Sequence, residues 1–186
     1  MFDSATDLQR QIEVIQNLHS NPSFLRLVTT VQDRQAEFSP SELARVFHGL
    51  KRLGLSLSDP LMQDLQVRVT NSVDGMDLSD LSLFAVAQRG RNMLDSEIRD
   101  TSLKWGLALA PTMPRLKSLM EDASSVNEVR QAAIVLGSAS RIASDNIMDM
   151  FANRVIELIA QGVFDDPQTE AAASAALVKV SATIKK

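Results

Sequence analysis

Few side chains in this 186-residue sequence could do chemistry, and their types and spacing argue against catalysis. Neither of the two histidines, His19 and His48, has a second histidine or a carboxylate at the spacing that a metal site needs. Cysteine is absent, so the chain offers no thiolate nucleophile, no thiolate metal ligand and no disulfide. The acidic pairs Glu121-Asp122 and Asp165-Asp166 fall at predicted helix junctions, where helix capping explains them.

Phosphate-binding and nucleophile motifs are missing as well. The seven glycines stand mostly at predicted helix ends, so the sequence has no Walker loop and no dinucleotide-binding loop. It also has no Gly-x-Ser-x-Gly elbow. We therefore expect a protein that is not an enzyme and that needs no cofactor and no metal, so that its function lies in a binding surface.

The elements that would carry such a surface are repeated. At an offset of 86 residues, Ser58-Asp59 matches Ser144-Asp145. A copy at about half that offset lies between them, where Ser41-Glu42-Leu43 recurs as Ser79-Asp80-Leu81. Internal copies spaced by about 38–48 residues are typical of stacked helical units.

Helix-start and helix-stop residues divide the chain into pairs of helices. The clearest start is Ser39 as N-cap, with Pro40 in the first position and Glu42 as capping-box partner, and Gly54 ends that helix. The sequence predicts an all-α fold, a right-handed solenoid of antiparallel helix pairs that forms one domain over residues 1–186. The predicted pairs cover residues 4–35, 40–74, 79–110 and 126–161, and a terminal helix covers residues 167–184.

Two further boundaries are predicted inside this scheme. Ser79 is expected to cap the first helix of the third pair, and Asp95 its second helix. Pro111 and Pro114 break the pattern and leave a short extra helix at about residues 115–122.

Apolar residues at helical spacing predict the core. Residues on repeated apolar faces, which we expect to be buried, are Leu43, Phe47, Leu50, Leu65, Leu81, Phe84, Leu136, Phe151 and Val155. Ile159 is assigned to the inward face of its helix in the same way. No apolar stretch is long enough to span a bilayer, so we expect no membrane insertion.

The distribution of charge bears on the partner. The net charge is −4, but residues 45–117 hold ten basic and eight acidic groups between two acidic ends. Cations recur at the C-terminal ends of equivalent helices, where they could complement the helix dipole or form a row of phosphate contacts spaced by one repeat. The candidate RNA-binding residues are Arg45, Lys51, Arg52, Arg89 and Arg91.

One segment resembles a known family. The run from Phe38 to Leu61 is similar to the helical repeats of FAST-kinase-like and RAP-domain proteins and of the related octotricopeptide repeats. It has their start as Ser41-Glu42-Leu43, without the usual spacer, and their Leu-x-x-Leu-Gly end at residues 50–54. Residues 76–91 are similar, and the resemblance extends loosely to residues 126–160.

The resemblance implies a non-catalytic protein associated with RNA in an organelle, mostly the mitochondrion, in RNA processing, RNA stability or ribosome assembly. Its other partners would be protein subunits of a ribonucleoprotein or multi-protein complex. The RAP module of that family is not seen, which implies a fragment or a repeat-only relative. The N-terminal residues do not look like a signal peptide or a transit peptide, so a cytoplasmic location is the alternative.

A second function stays open. A scaffold of the HEAT or armadillo kind, a subunit of a larger complex, would use a similar architecture to bind protein. Flexible methionines at the surface would suit such a contact. The methionines that this interpretation places at the surface are Met62, Met76, Met93, Met113 and Met120.

Overall fold

A computed structural model describes residues 13–89, 107–139 and 142–164, and within these ranges the chain is helical and contains no strand. The first helices are α1 (Pro22–Arg34), α2 (Pro40–Arg52), α3 (Pro60–Asn71) and α4 (Leu78–Gln88). The later ones are α5 (Met113–Asp122), α6 (Val126–Ser138) and α7 (Asp145–Ala160). Residues 13–19 and 107–109 are helical too, and 3₁₀ turns cover Val73–Gly75 and Ala110–Thr112. None of the described helices is both long and apolar enough to cross a membrane.

Serine caps and glycine stops fix the helix ends where the sequence predicts them. Ser39 caps α2 in a full capping box with Glu42. Ser125 and Glu128 repeat the same box at the start of α6. After α2 and α7 the chain turns at Gly54 and Gly162, which have φ of 92° and 74° and so adopt the left-handed backbone that favours glycine.

The prediction for the start of α4 is wrong by two residues. Asp77, not Ser79, is the N-cap, because its carboxylate accepts a hydrogen bond from the backbone N–H of Asp80. The extra helix near the two prolines is confirmed, although it begins at Met113, directly after the 3₁₀ turn. Asp95, the first residues of the initial helix and the terminal helix at 167–184 lie outside the described residues.

Helices α2, α4 and α6 lie side by side and make the most extensive contacts between helices in the described part of the chain. The N-terminal ends of α2 and α4 meet, since Ser41 Oγ donates a hydrogen bond of 2.9 Å to Asp80 Oδ1. Farther along, the rings of Phe47 and Phe84 are 5.4 Å apart.

The C-terminal ends of α4 and α6 meet in turn. A Cβ atom placed on Gly137, near the end of α6, would lie 2.9 Å from Nη2 of Arg89, the residue that follows α4. Because N-terminus meets N-terminus in one contact and C-terminus meets C-terminus in the other, α2, α4 and α6 run in the same direction. We refer to these three helices as the row.

Helices α3, α5 and α7 form a second layer, in which α3 and α5 contact the row directly. α3 packs on α2, and α5 contacts α4, α6 and α7. Two arginines of this layer bind the loops that lead into the row. Arg115 Nε donates to the carbonyl oxygen of Met76 at 3.0 Å, just before α4, and Arg154 Nε donates to that of Ala123 at 2.8 Å, just before α6.

The predicted core is confirmed, since all nine residues expected to be buried are less than 5% exposed. Ile159, which the sequence assigns to the inward face of α7, is instead 48% exposed. The prediction of surface methionines is wrong for Met62, Met76, Met113 and Met120, which are all buried, and Met93 lies outside the described residues. The unbranched methionine side chain fits irregular gaps between helices, which explains its use in this core.

Truncation of a core leucine on the row tests this packing. We expect Leu50→Ala to lower the free energy of unfolding by about 2–5 kcal/mol, because the cavity adds to the lost burial. The exposed Val67→Ala on α3 is the control, with an expected change of about 0.5 kcal/mol or less. Urea unfolding followed by circular dichroism measures both. A loss for Leu50→Ala as small as that of the control would show that this face of α2 meets solvent.

Candidate binding face

The middle helix of the row is open to solvent along one stripe only. Within α4, every residue is buried except Ser79, Leu83 and Val86, which are four and three residues apart. That spacing places all three on one side of the helix. Leu83 is partly exposed and Val86 is 42% exposed, so the open side of α4 is largely apolar.

The stripe of α2 that lies beside this open side carries positive charge. Ser41, which contacts α4 through Asp80, marks the edge of α2 nearest to α4. Arg45, His48 and Arg52 follow Ser41 at four, seven and eleven residues and so share its side of the helix. Both arginines are exposed and His48 is partly exposed.

The matching stripe of α6 is marked by Gly137, which lies under the Arg89 guanidinium. Ile134 and Arg130 precede Gly137 by three and seven residues and so lie on the same side of α6. Arg130 is exposed and Ile134 is partly exposed. We call the combined surface the row face, formed by Arg45, His48 and Arg52 of α2, Ser79, Leu83 and Val86 of α4, and Arg130, Ile134 and Gly137 of α6.

Two carboxylates near the row face are held at the N-termini of their helices. Hydrogen bonds from the Ser39 backbone and hydroxyl lower the pKa of Glu42. In the same way, hydrogen bonds from the Ser124 backbone and the Ser125 hydroxyl lower the pKa of Glu128. These carboxylates are held in capping boxes, and the charge of Arg45 also lowers the pKa of Glu42. Arg45 and Arg130 lie at the rim of the apolar centre.

The structure brings only some of the predicted RNA-binding residues to this surface. Arg45 and Arg52 lie on the row face. Arg89 is exposed at its edge, but its guanidinium packs over Gly137, and burial lowers its pKa. Arg91 lies outside the described residues.

The placement of Lys51 at the surface needs correction, because its side chain is only 7% exposed. Lys51 follows Phe47 by one helical turn and therefore lies on the side of α2 that faces the core. A buried lysine does not present its charge to a phosphate. Of the two adjacent cations Lys51 and Arg52 at the end of α2, only Arg52 is therefore exposed.

Arg130 was missed in the sequence, although a signal for it exists. The predicted inward residues of α6 include Val129, Ala132 and Leu136, all of which are buried. Arg130 falls between these positions, so the same periodicity places it outward.

Comparison of the chain with known families, curated proteins and solved structures finds no match. The row face must therefore be interpreted from its own chemistry.

The two histidines differ in surroundings. His19 stacks on Phe24 with ring centroids 5.0 Å apart, and its Nε2 lies 3.1 Å from the carbonyl oxygen of Leu53, so it joins the first helical segment to the end of α2. Burial and the nearby Arg52 lower the pKa of His48. Among the described residues, no group of three or more histidine, aspartate or glutamate side chains is arranged to hold a metal ion.

A concave region lies between α5 and α7. It is an open groove of about 360 Å³ whose lining includes Glu121, Asp149, Asn153 and Arg154. The Arg154 guanidinium is already engaged, since it donates to the Ala123 carbonyl and to Glu157 Oε2 at 2.9 Å. This groove is shallow and acidic, and Arg154 serves the packing of the loop before α6.

The titration of His48 tests the charge on the row face. We expect its pKa to lie below the ordinary value of 6.5, because burial and Arg52 disfavour the imidazolium. Arg52→Gln should raise this pKa, whereas Arg26→Gln on α1 should leave it unchanged. Nuclear magnetic resonance of the imidazole ring gives both values. A His48 pKa above 6.5, or equal responses to the two variants, would contradict this arrangement of charges.

The same shift predicts a pH dependence of stability. The unfolded chain protonates His48 at its ordinary pKa and the folded chain only at lower pH, so acidification favours unfolding. The free energy of unfolding should therefore fall as the pH decreases from about 6.5 through the lowered pKa, and His48→Gln should remove this part of the slope. Urea unfolding of the wild type and of His48→Gln at a series of pH values measures this slope.

Proposed function

We propose that the chain is a non-catalytic helical-repeat protein, a solenoid of antiparallel helix pairs, that binds a protein partner through the row face. In such a solenoid, the first helices of successive units stack in parallel and each unit contacts its neighbours. The parallel row α2, α4 and α6 supports this arrangement. The arginine anchors at the loops before α4 and α6 support it too, because the same device occurs in two successive units.

The composition of the row face supports a protein partner. Protein interfaces combine an apolar centre with a polar rim in which arginine is enriched. The row face has this composition, with Leu83 and Val86 in the centre, Ile134 beside them on α6, and arginines on α2 and α6. We base the proposal on this combination of an apolar centre with arginines at the rim.

The aromatic residues of the row support protein over single-stranded RNA. Proteins that bind single strands stack bases on exposed aromatic rings. Phe47 and Phe84, the aromatic residues of α2 and α4, are fully buried. Within the described residues, the row face therefore offers bases an aliphatic surface and no aromatic ring beyond the imidazole of His48.

RNA association in an organelle remains the second candidate function. It is favoured by the exposed Arg45, Arg52 and Arg130 and by the resemblance to organellar RNA-binding repeats. A mitochondrial location belongs to this candidate and rests on the resemblance alone. Both candidates use the same face, so the experiment has to identify what lies on it.

Site-specific photo-crosslinking distinguishes the two. A photoreactive phenylalanine analogue is placed at Val86, the centre of the row face, and at Val67 on α3, which is exposed at 58% but lies off the face. In cells that produce the protein, we expect specific protein adducts from position 86 that resist nuclease, and none of these from position 67. Adducts at position 86 that contain RNA would support the second candidate instead. The same adducts from both positions would contradict a role for the row face.

Charge reversal tests RNA binding directly. The triple variant Arg45→Glu, Arg52→Glu and Arg130→Glu is compared with a control of equal charge, Arg26→Glu, Arg34→Glu and Lys117→Glu, off the row face. If the row face binds a protein, fluorescence polarisation with mixed single-stranded RNA should show weak binding that the two variants reduce alike. Selective loss in the row-face variant, with a flatter salt dependence, would favour RNA, since phosphate contacts release counterions.

A further inference from the structure

The shape of the row face restricts the kind of protein segment that it fits. Its three helices run in parallel, so the apolar residues Leu83 and Val86 form a strip along α4. The stripe of α2 with Arg45 and Arg52 lies on one side of this strip, and the stripe of α6 with Arg130 and Ile134 lies on the other. Neighbouring helix axes are about 8–10 Å apart, which separates the stripes on α2 and α6 by about 16–20 Å. A helix with side chains is about 10–12 Å wide and fits between two such rims.

Small residues keep the strip accessible. A Cβ atom placed on Gly49, one turn after Arg45 on α2, would have no atom within 4 Å, so no other side chain covers the backbone there. Ser79 adds little height at the N-terminal end of α4, whereas the Arg89 guanidinium covers Gly137 at the other end of the strip. A partner helix can therefore approach the backbone of the row near Ser79 and extend along α4 to cover Val86.

The charges at the rim define the partner further. Arg45 and Arg52 are seven residues apart, which is about 10.5 Å along α2, and Arg130 lies on the opposite side of the strip. A helix that lies on the strip would place its two flanks beside these guanidinium groups. Carboxylates on those flanks would form complementary pairs, and lysines or arginines would be repelled.

We infer that the row face binds an acidic amphipathic helix of a partner protein. The apolar side of that helix, with residues at i, i+3, i+4 and i+7, covers Leu83, Val86 and Ile134. Aspartates or glutamates on its two flanks pair with Arg45 and Arg52 on one side and with Arg130 on the other. The inference rests on the proposed function, because it requires the partner to be a protein.

Two synthetic peptides test the inference against the full chain. Both carry the same leucine pattern, and one has glutamate on the flanks where the other has lysine. Fluorescence anisotropy should show that the glutamate peptide binds at least about tenfold more tightly, since opposite charges at the rim favour it and like charges oppose the other. In nuclear magnetic resonance spectra, the glutamate peptide should shift the amide signals of the row face. Equal affinity of the two peptides, or shifts confined to other surfaces, would overturn the inference.

Two variants establish where the peptide binds. Val86→Asp should weaken the glutamate peptide by about tenfold or more, because it places a charge in the apolar contact, whereas Val67→Asp on α3 should have no effect. The double variant Arg45→Glu and Arg130→Glu changes exposed positions only and should reverse the preference, so that the lysine peptide binds more tightly. An unchanged preference in this variant would contradict the charge pairing even if Val86→Asp fails to fold.

The peptide experiment and the crosslinking experiment can fail independently. If crosslinking at Val86 yields protein adducts but the glutamate peptide shows no preference, a protein partner binds in another form and the helix inference fails alone. If the adducts contain RNA, the proposed function fails and the inference with it.

Discussion

The parallel alignment of α2 and α4 is the constraint on which the rest of the structure depends. Two contacts fix it: the hydrogen bond from Ser41 to the buried Asp80 at the helix starts and the ring contact of Phe47 with Phe84 farther along. A buried carboxylate is tolerated only where polar groups satisfy it, so this pair sets the register of the two helices as well as their direction. A slip by one residue would separate the hydroxyl from the carboxylate and would misalign the apolar faces.

From this alignment the binding face follows. With α2 on one side, α6 on the other and the second layer behind, α4 keeps one stripe in contact with solvent, and that stripe carries Leu83 and Val86. The second layer contributes to the alignment, since Arg115 and Arg154 hold the carbonyls that precede α4 and α6. The surface is thus a consequence of stacking: each helix buries the faces that neighbours cover and exposes the residues between them.

Sequence patterns predicted the helices and the core well, because both depend on local signals. The Ser39–Glu42 capping box, the stop at Gly54 and the apolar faces of α2, α4 and α6 follow from spacing within a single helix. The sequence did not predict equally well which charged side chains lie at the surface. Lys51 lies between Leu50 and Arg52 in the sequence, yet its place one turn after Phe47 puts its side chain inside. Which exposed residues share a face depends on how the helices stack, and no local pattern gives that.

The distance between Arg45 and Arg130 tests the central claim, that α2, α4 and α6 form one row with a common outer face. The chain has no cysteine, so Arg45→Cys and Arg130→Cys accept one spin label each without removing other thiols. Two helix spacings separate these positions, and we expect electron paramagnetic resonance to give a single narrow distribution near about 20 Å, extended by the reach of the labels. A broad distribution, or a distance of roughly 40 Å or more, at least twice the spacing of a three-helix row, would show that the arginines do not share a face.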